Sequence, residues 1–478
     1  MKTPILGSSY RARSVNAADN RMVNLFPEII PEGGKDAAFL NRAPGLRLLA
    51  TIGDGPIRGL WQFGGFAYAV SGYEVYKIAS DWSATLIGTV SGTGPVSMAD
   101  NGTQLFIACN PAGYIYNSST GDFAAITDPD FPGAQIVGYL DGFFVFTEPN
   151  SQKFWITSLL DGTSIDPLDF ASAEGFPDNV VSMIIDHLEI WLFGTNSTEV
   201  WYNAGGADFP FARIQGAFNE VGCLAPYSVA KMDNQIYWLG QDARGFGMVY
   251  RAQGYIAQRV STHAVEWQIQ QYADTSDAIG YTYQQGGHSF YVLIFPSANT
   301  TWVYDVATDS WTERAGWDTN LGVFTRHRSN CQVYFNHEIA VGDFENGNIY
   351  AFDLYTYDDN GSIQKWLRRW RALPTGINNL KRTAHHSLQL DCRTGVGVIS
   401  GQGENPQVIL RWSDDGGNTW SNEHWASMGA QGQYGTRTIW RRLGMTMKIR
   451  DRVYEVSGSD PVPIIISGAE LLISPTNA

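Results

Sequence analysis

The residues best placed to do chemistry are carboxylates. The stretch "LLDGTSIDPLDFASAEGFPDN" carries Asp161, Asp166, Asp169 and Glu174, the densest acidic set on any loop-like segment. Two carboxylates held about 5–10 Å apart can cleave a glycosidic bond, one as acid and the other as base or nucleophile. With 47 Asp and Glu in 478 residues some such pair is inevitable, so the stretch serves equally as a binding or packing loop. The histidines offer less. His385 and His386 are adjacent, which on a strand points them to opposite faces, and His327 and His337 stand alone. The phosphate-cradling G-x-x-x-x-G-K-[ST], the zinc-binding H-E-x-x-H and the nucleophile-elbow G-x-S-x-G patterns are all missing from the sequence. Cys109, Cys223, Cys331 and Cys392 lie far apart and form no C-x-x-C pair, so neither a zinc knuckle nor a compact disulfide scaffold is expected, and a reducing compartment is the plain reading. No catalytic, cofactor-binding or metal-ligating residue is assigned, and the chain is read as a non-enzyme.

Two further stretches invite a functional reading. In "RWSDDGGNTW", Ser413, Asp415, Gly417 and Trp420 fit S-x-D-x-G-x-x-W, a pattern that resembles the Asp-box turn of sialidases and related β-propellers. A turn explains it without catalysis: Ser413 and Asp415 accept turn N–H groups, Gly416 or Gly417 takes a positive φ, and Trp420 buries the corner. The resemblance implies the same, because the box of sialidases lies away from their active site. In "KWLRRWRALP", Lys365, Arg368, Arg369 and Arg371 interleave with Trp366 and Trp370. Such a segment could track a phosphate backbone, but a formal net charge of −15 repels nucleic acid and anionic membrane, so a protein interface or a solvated strand is the preferred reading. Arg437, Arg441 and Arg442 in "TRTIWRRLG" form a second patch with the same ambiguity.

These residues need a scaffold, and the composition names its class. Aromatics at 13%, 51 glycines and only 17% charged residues fit a turn-rich β protein. One unit of short aromatic strands separated by Gly or Asn turns recurs from Ile57, Val96, Ile136, Val181, Tyr227, Ala278 and Leu321. That spacing of roughly 40–50 residues is what one four-stranded propeller blade requires, and blades arranged radially bury their faces against neighbours. A β-sandwich with irregular hairpins is the alternative. Within the sixth copy, "WVYDVATDSW" resembles the end of a Kelch-type blade, where Asp305, Thr308 and Asp309 bond their own turn and Trp311 packs beneath it.

After about residue 380 longer alternating strands predict a separate sheet or sandwich, and before residue 56 an Asn-, Pro- and Gly-rich segment predicts an extended arm that needs a partner surface. The expected organisation is all-β: an extended N-terminal arm over 1–55, a propeller of about seven blades over 56–379, and a C-terminal β-sandwich-like domain over 380–478. The N-terminal apolar run is too short for a signal peptide's core, and synthesis in the cytosol is expected.

Taken in order, "VNLFPE" at 23–28, "PGL" at 44–46, "FWITSLLDGTSIDPLDFASAEGFPD" at 154–178, "FGTNSTEVWY" at 193–202, "VGDFENGNIYAFD" at 341–353, "RTIWRRLG" and the final "VPIIISGAELLI" make the chain similar to the tail-hub or tail accessory proteins of short-tailed bacteriophages, also called packaged-DNA stabilisation proteins. The resemblance covers nearly the whole chain. It implies a virion tail protein, assembled in the host cytoplasm, that forms a homo-oligomer, a sixfold ring, below the portal and its head-to-tail adaptor. It further implies that the ring closes the exit channel on packaged double-stranded DNA without reading its sequence, and carries a tail needle and tailspikes or fibres. No cofactor is implied. The rival reading is a glycan-binding or glycan-hydrolysing propeller, which requires acidic and aromatic residues converging on the central pocket.

Overall fold

The computed structural model describes residues 1–15, 17–34, 36–206, 208–372, 382–447 and 452–476. Among the described residues seven antiparallel blades follow one another around a ring: 57–89, 97–125, 137–172, 180–219, 222–259, 279–318, and 329–353 completed by 45–51; each has four strands except the fifth, where two short strands, Gly222–Cys223 and Ala230–Met232, share the first position against Gln235–Asp242. The second strand of each blade is almost continuously apolar. Gln104–Cys109 (QLFIAC), Glu189–Gly194 (EIWLFG) and His288–Phe295 (HSFYVLIF) bury nearly every residue, because a blade is covered on both faces by its neighbours.

Aromatic rings fill the seven seams between blades. Around the ring, Tyr68 meets Tyr116, Phe106 meets Phe144, Phe154 meets Trp201 and Phe193 meets Trp238, with centroids 5.1–5.7 Å apart. Tyr237 with Tyr291, Tyr283 with Phe352, and Phe335 with Trp82 complete the circle at 4.8–5.6 Å. Each such pair contributes about 0.5–1.5 kcal/mol beyond the area it buries. The aromatic richness of the sequence is therefore spent on inter-blade packing.

The ring closes through a strand from the N-terminal segment. Gly45–Thr51 pairs antiparallel with Asn348–Asp353 as the outermost strand of the seventh blade, some 300 residues distant in sequence. Upstream, Asp19–Val23 joins the outer strand of the sixth blade on one side, with a parallel bridge from Val23 to Glu313, and Trp366–Arg371 on the other. That sheet runs on through Val453–Gly458, Gln407–Ser413 and His424–Ser427. Leu25–Ile29 and Ala38–Arg42 instead enter a second sheet with Ile465–Pro475, Thr383–Cys392 and Thr438–Met445. Met22, Leu40, Trp366, Trp370, Leu410, Trp440, Tyr454 and Ile466 fill the space between these two sheets.

Asn24 is the corner between them. Its φ of +53° turns the chain from one sheet to the other, a conformation Asn tolerates, and its side chain donates to Ala315 O and Lys365 O and accepts from Ala315 N at 2.7–2.9 Å. The first 55 residues, expected as an extended arm in need of a partner surface, find it in cis: they supply strands to the last blade and to both sandwich sheets. The sandwich correspondingly begins with Trp366–Arg371, ahead of the expected boundary at 379/380, which lies outside the described residues. No sequence signal marks this exchange because the strands that tie the segment to the rest of the molecule pair with partners hundreds of residues away.

Candidate functional site

The first strands of all seven blades enclose a central cavity of about 620 Å³. Its wall is mainly apolar, with Leu60, Met98, Ile136, Val137, Ile184 and Ile279 among the contributors. Asp100 is the one carboxylate among the described lining residues, and it is committed: its oxygens accept Trp61 Nε1 at 2.9 Å and Gly102 N at 3.0 Å. The two-carboxylate arrangement of a glycosidase is thus not assembled there. Arg58, buried beside the cavity, was not singled out in the sequence. Its guanidinium donates to Gly94 O (2.7 Å), Gly72 O (2.9 Å) and Ser91 O (3.1 Å), tying a turn of the first blade to the connection that leads into the second. Burial lowers its pKa.

The acidic loop is built from turn-forming aspartates. Asp161 Oδ1 accepts Thr163 N and Oγ1 at 2.9 and 2.7 Å, and Asp166 Oδ1 accepts Leu168 N at 2.9 Å. Asp161 is held low: burial opposes this, but the bonds from Thr163 and Gln104 outweigh it. Asp169 is pushed up by burial and by Asp166, while Glu174 is exposed. Among the described residues no three His, Cys, Asp or Glu side chains gather as a metal-binding group.

The Asp-box folds as a turn between Gln407–Ser413 and His424–Ser427. Ser413 Oγ donates to Asp415 Oδ1 (2.6 Å) and accepts Gly417 N (2.8 Å); Asp415 also accepts Asn418 N and Thr419 N at 2.9 Å. These donors, Ser413 and Thr419 first, hold the Asp415 carboxyl far below the usual range. Gly417 has a φ of +106°, and Trp420 closes over the arginines beneath it, Arg369 at 4.5 Å and Arg411 at 5.6 Å from its ring centre. The Kelch-like turn behaves similarly: Thr308 Oγ1 donates to Asp305 Oδ2 (2.6 Å), Tyr304 OH donates to Asp309 Oδ1 (2.7 Å), and buried Trp311 donates to Val260 O (2.9 Å).

The basic stretch is not a surface. Trp366–Arg371 lies mid-sheet, and Trp366, Arg368, Arg369 and Trp370 are buried. This overturns the expectation of an interface or solvated strand. The physical reason is a carboxylate network the sequence did not reveal. Arg369 bonds Asp19 at 2.9 Å and Glu455 at 2.7 Å, Glu455 also receives Arg411, and Arg368 donates to Ile5 O at 2.5 Å. Burial raises the Glu455 pKa, but Arg369 and Arg411 outweigh it and the net shift is downward. Burial alone drives Arg368 down to about 9. Arg437, Arg441 and Arg442, by contrast, are exposed on the edge strand Thr438–Met445 and the residue before it.

His385 is buried against Tyr454 OH (2.9 Å), and His386 is exposed and bonded to Ser474 Oγ (2.8 Å), so the two do face opposite ways. His327 is buried on Ser329 Oγ (2.7 Å). Burial lowers both His327 and His385 to about 3, which keeps them neutral. His337 sits exposed in a turn. All four cysteines are free, and burial raises their thiols to about 11 or 12, leaving them poor nucleophiles at neutral pH. Asp359 was not anticipated. Fully buried where the seventh blade meets the sandwich, it is pushed up to about 7 by desolvation, against a 3.3 Å bond from Gln364 Nε2 and the pull of Arg42.

Residues 1–357 match the family model described as Bacteriophage P22 Gp10, beta-propeller, and residues 366–474 match that described as Bacteriophage P22 Gp10, beta-sandwich. No curated protein sequence matches the chain. Among solved structures the chain is similar to the N-terminal domain of Nup159, with 10% identity over 68% of this chain and 97% of that one and a TM-score of 0.40. It is also similar to streptogramin B lyase, with 9% identity over 69% and 98% and a TM-score of 0.41. A third is the β-propeller domain of Myceliophteria thermophila Cps50 (Swd1), with 8% identity over 63% and 98% and a TM-score of 0.41.

Proposed function

The chain belongs to the Bacteriophage P22 Gp10 family, tail-hub and DNA-stabilisation proteins of short-tailed phages, and from that premise we propose its roles in the tail. It joins the portal-adaptor complex to the distal tail, closes the exit channel after packaging, and offers attachment surface to a needle and to spikes or fibres. It works as a homo-oligomer, a hexameric ring, and without catalysis.

The observation that supports this reading best is the continuity of the two matched regions. The outer strand of the sixth blade bonds to Asp19–Val23, which bonds to the sandwich strand Trp366–Arg371, so backbone hydrogen bonds and not a flexible linker cross from propeller to sandwich. A plug that resists internal pressure works by steric closure and must pass load between its parts. A welded joint does so; a linker of solvated residues does not.

Genome retention tests the proposal. Particles assembled without this chain are expected to package DNA and then lose it to added nuclease, and purified chain supplied before nuclease is expected to protect it. Particles that keep their DNA without the chain would contradict the role.

A further inference from the structure

The net negative charge of the chain is concentrated on one side of the ring. Between Ile78 and Ala212 there are sixteen Asp and Glu and one basic residue, Lys153, whereas the remaining residues hold thirty-one acidic and thirty-one basic. An excess of fifteen negative charges therefore falls on the outer edge of the first blade, the second and third blades, and the fourth blade as far as Ala212; Arg213 follows in its last strand.

This acidic side also carries exposed leucines. Leu159, Leu160 and Leu168 on the loop between the third and fourth strands of the third blade are 62%, 60% and 79% exposed, and Leu188 on the first turn of the fourth blade is 70% exposed. The turns form one surface: Leu160 N donates to Gly142 O at 2.8 Å, and Asn203 Nδ2 reaches from the fourth blade to Asp141 Oδ2 of the third at 2.9 Å. Apolar groups clustered within a charged rim mark contact surfaces, while leucines scattered singly do not.

A complementary surface exists on the sandwich. Arg441, Arg442, His386, Met445 (48% exposed) and Leu472 (60% exposed) border a shallow concavity of about 550 Å³ on the outward face of the second sheet. Ser387 pairs with both Arg441 and Leu472, which sets the cation and the apolar side chain on flanking strands. Thr438–Met445 is also an edge, paired among the described residues with Thr383–Cys392 alone. The sandwich hangs from the sixth blade, across the ring from the third. Among the described residues no hydrogen bond or ion pair links the two surfaces within one molecule, and two acidic surfaces repel each other.

We propose that the acidic, leucine-bearing surface of the third and fourth blades docks onto the arginine-bearing outer face of the sandwich in a second copy of this chain. The contact is head-to-tail, so repetition leads to a closed ring or an open chain of copies. The proposal rests on the reading that the chain acts as an assembly, and it names the faces that meet.

Sedimentation velocity of the purified full chain tests it with two charge-reversed variants, Asp166→Lys with Asp169→Lys, and Arg441→Glu with Arg442→Glu. Wild type is expected to self-associate, and about tenfold or more less tightly at high salt. Each variant alone is expected to lose at least about tenfold in association, since it opposes like charges. An equimolar mixture is expected to recover association, because Lys faces then meet Glu faces and native Asp faces meet native Arg faces. Leu159→Ser with Leu160→Ser, both exposed, should weaken association with no loss of thermal stability. A wild type that stays monomeric, or reversals that change nothing, or a mixture that fails to recover, overturns the contact. If the wild type nevertheless protects packaged genomes from nuclease, the tail role stands and only the assigned faces are wrong.

Discussion

Two strands of this molecule read almost alike and meet opposite fates. "KWLRRWR" at 365–371 and "TIWRRLG" at 438–444 both place paired arginines beside tryptophan. The first is a central strand in which Arg369 is buried on Asp19 and Glu455 and Arg368 on the carbonyl of Ile5, and the second is an edge whose arginines face water. Arginine can be buried only where carboxylates or carbonyls meet its fork of donors, so the fate of each strand is set by what other segments bring to it. Asp19 lies 350 residues from Arg369, and Glu455 lies 86 away.

The largest expected effect breaks the buried side of the comparison. Glu455→Gln takes one of two carboxylate partners from buried Arg369 and the carboxylate partner of half-buried Arg411, and should cost about 3–5 kcal/mol in denaturant unfolding, whereas Arg441→Ala on the edge strand should stay within about 0.5 kcal/mol. Equal losses at the two sites would remove the distinction. The Glu455 pKa is depressed in the fold, so its contribution is present above the unfolded value near 4.3 and is lost as pH falls through the folded value. Glu455→Gln should accordingly flatten the acid limb of the stability curve.

Next comes the corner that carries the N-terminal segment from one sheet to the other. Asn24→Ala removes three buried hydrogen bonds and the side chain that tolerates a φ of +53°, and should cost about 2–4 kcal/mol, seen in the same unfolding curves. Asp359 gives an effect of opposite pH sign. Its folded pKa of about 7 lies above the unfolded value, so it favours the fold at low pH and ceases to as pH rises through 7. Asp359→Asn should therefore be stabilising relative to wild type at pH 8, with the advantage shrinking below pH 7 and vanishing below about pH 4, the unfolded value. The smallest effect belongs to the Asp-box: Asp415→Ala should cost about 1 kcal/mol in thermal unfolding through loss of its turn bonds.

Much of the propeller was legible because its signal is local. Copies read from Ile57, Val96, Ile136, Val181 and Ala278 fall within one residue of the first strands that begin at Ile57, Ser97, Val137, Val180 and Ile279. The seventh was read from Leu321 although its first strand begins at Ser329, because the small hairpin strand Val323–Arg326 imitates a blade strand. The Asp-box turn was equally readable, its donors and acceptors lying within four residues of one another. What could not be read was long-range pairing. Nothing in "GLRLLAT" announces that it closes a blade at 348–353, and nothing in "WLRRWR" announces Asp19.

The most direct measurement is imaging of intact virions and of particles lacking this chain at a resolution that separates strands. Seven-bladed bodies, each welded to a sandwich, are expected about the tail axis in the virion and are expected to be missing from the deficient particles. Virions without such bodies, together with purified chain that releases reducing sugar from bacterial polysaccharide, would contradict that expectation.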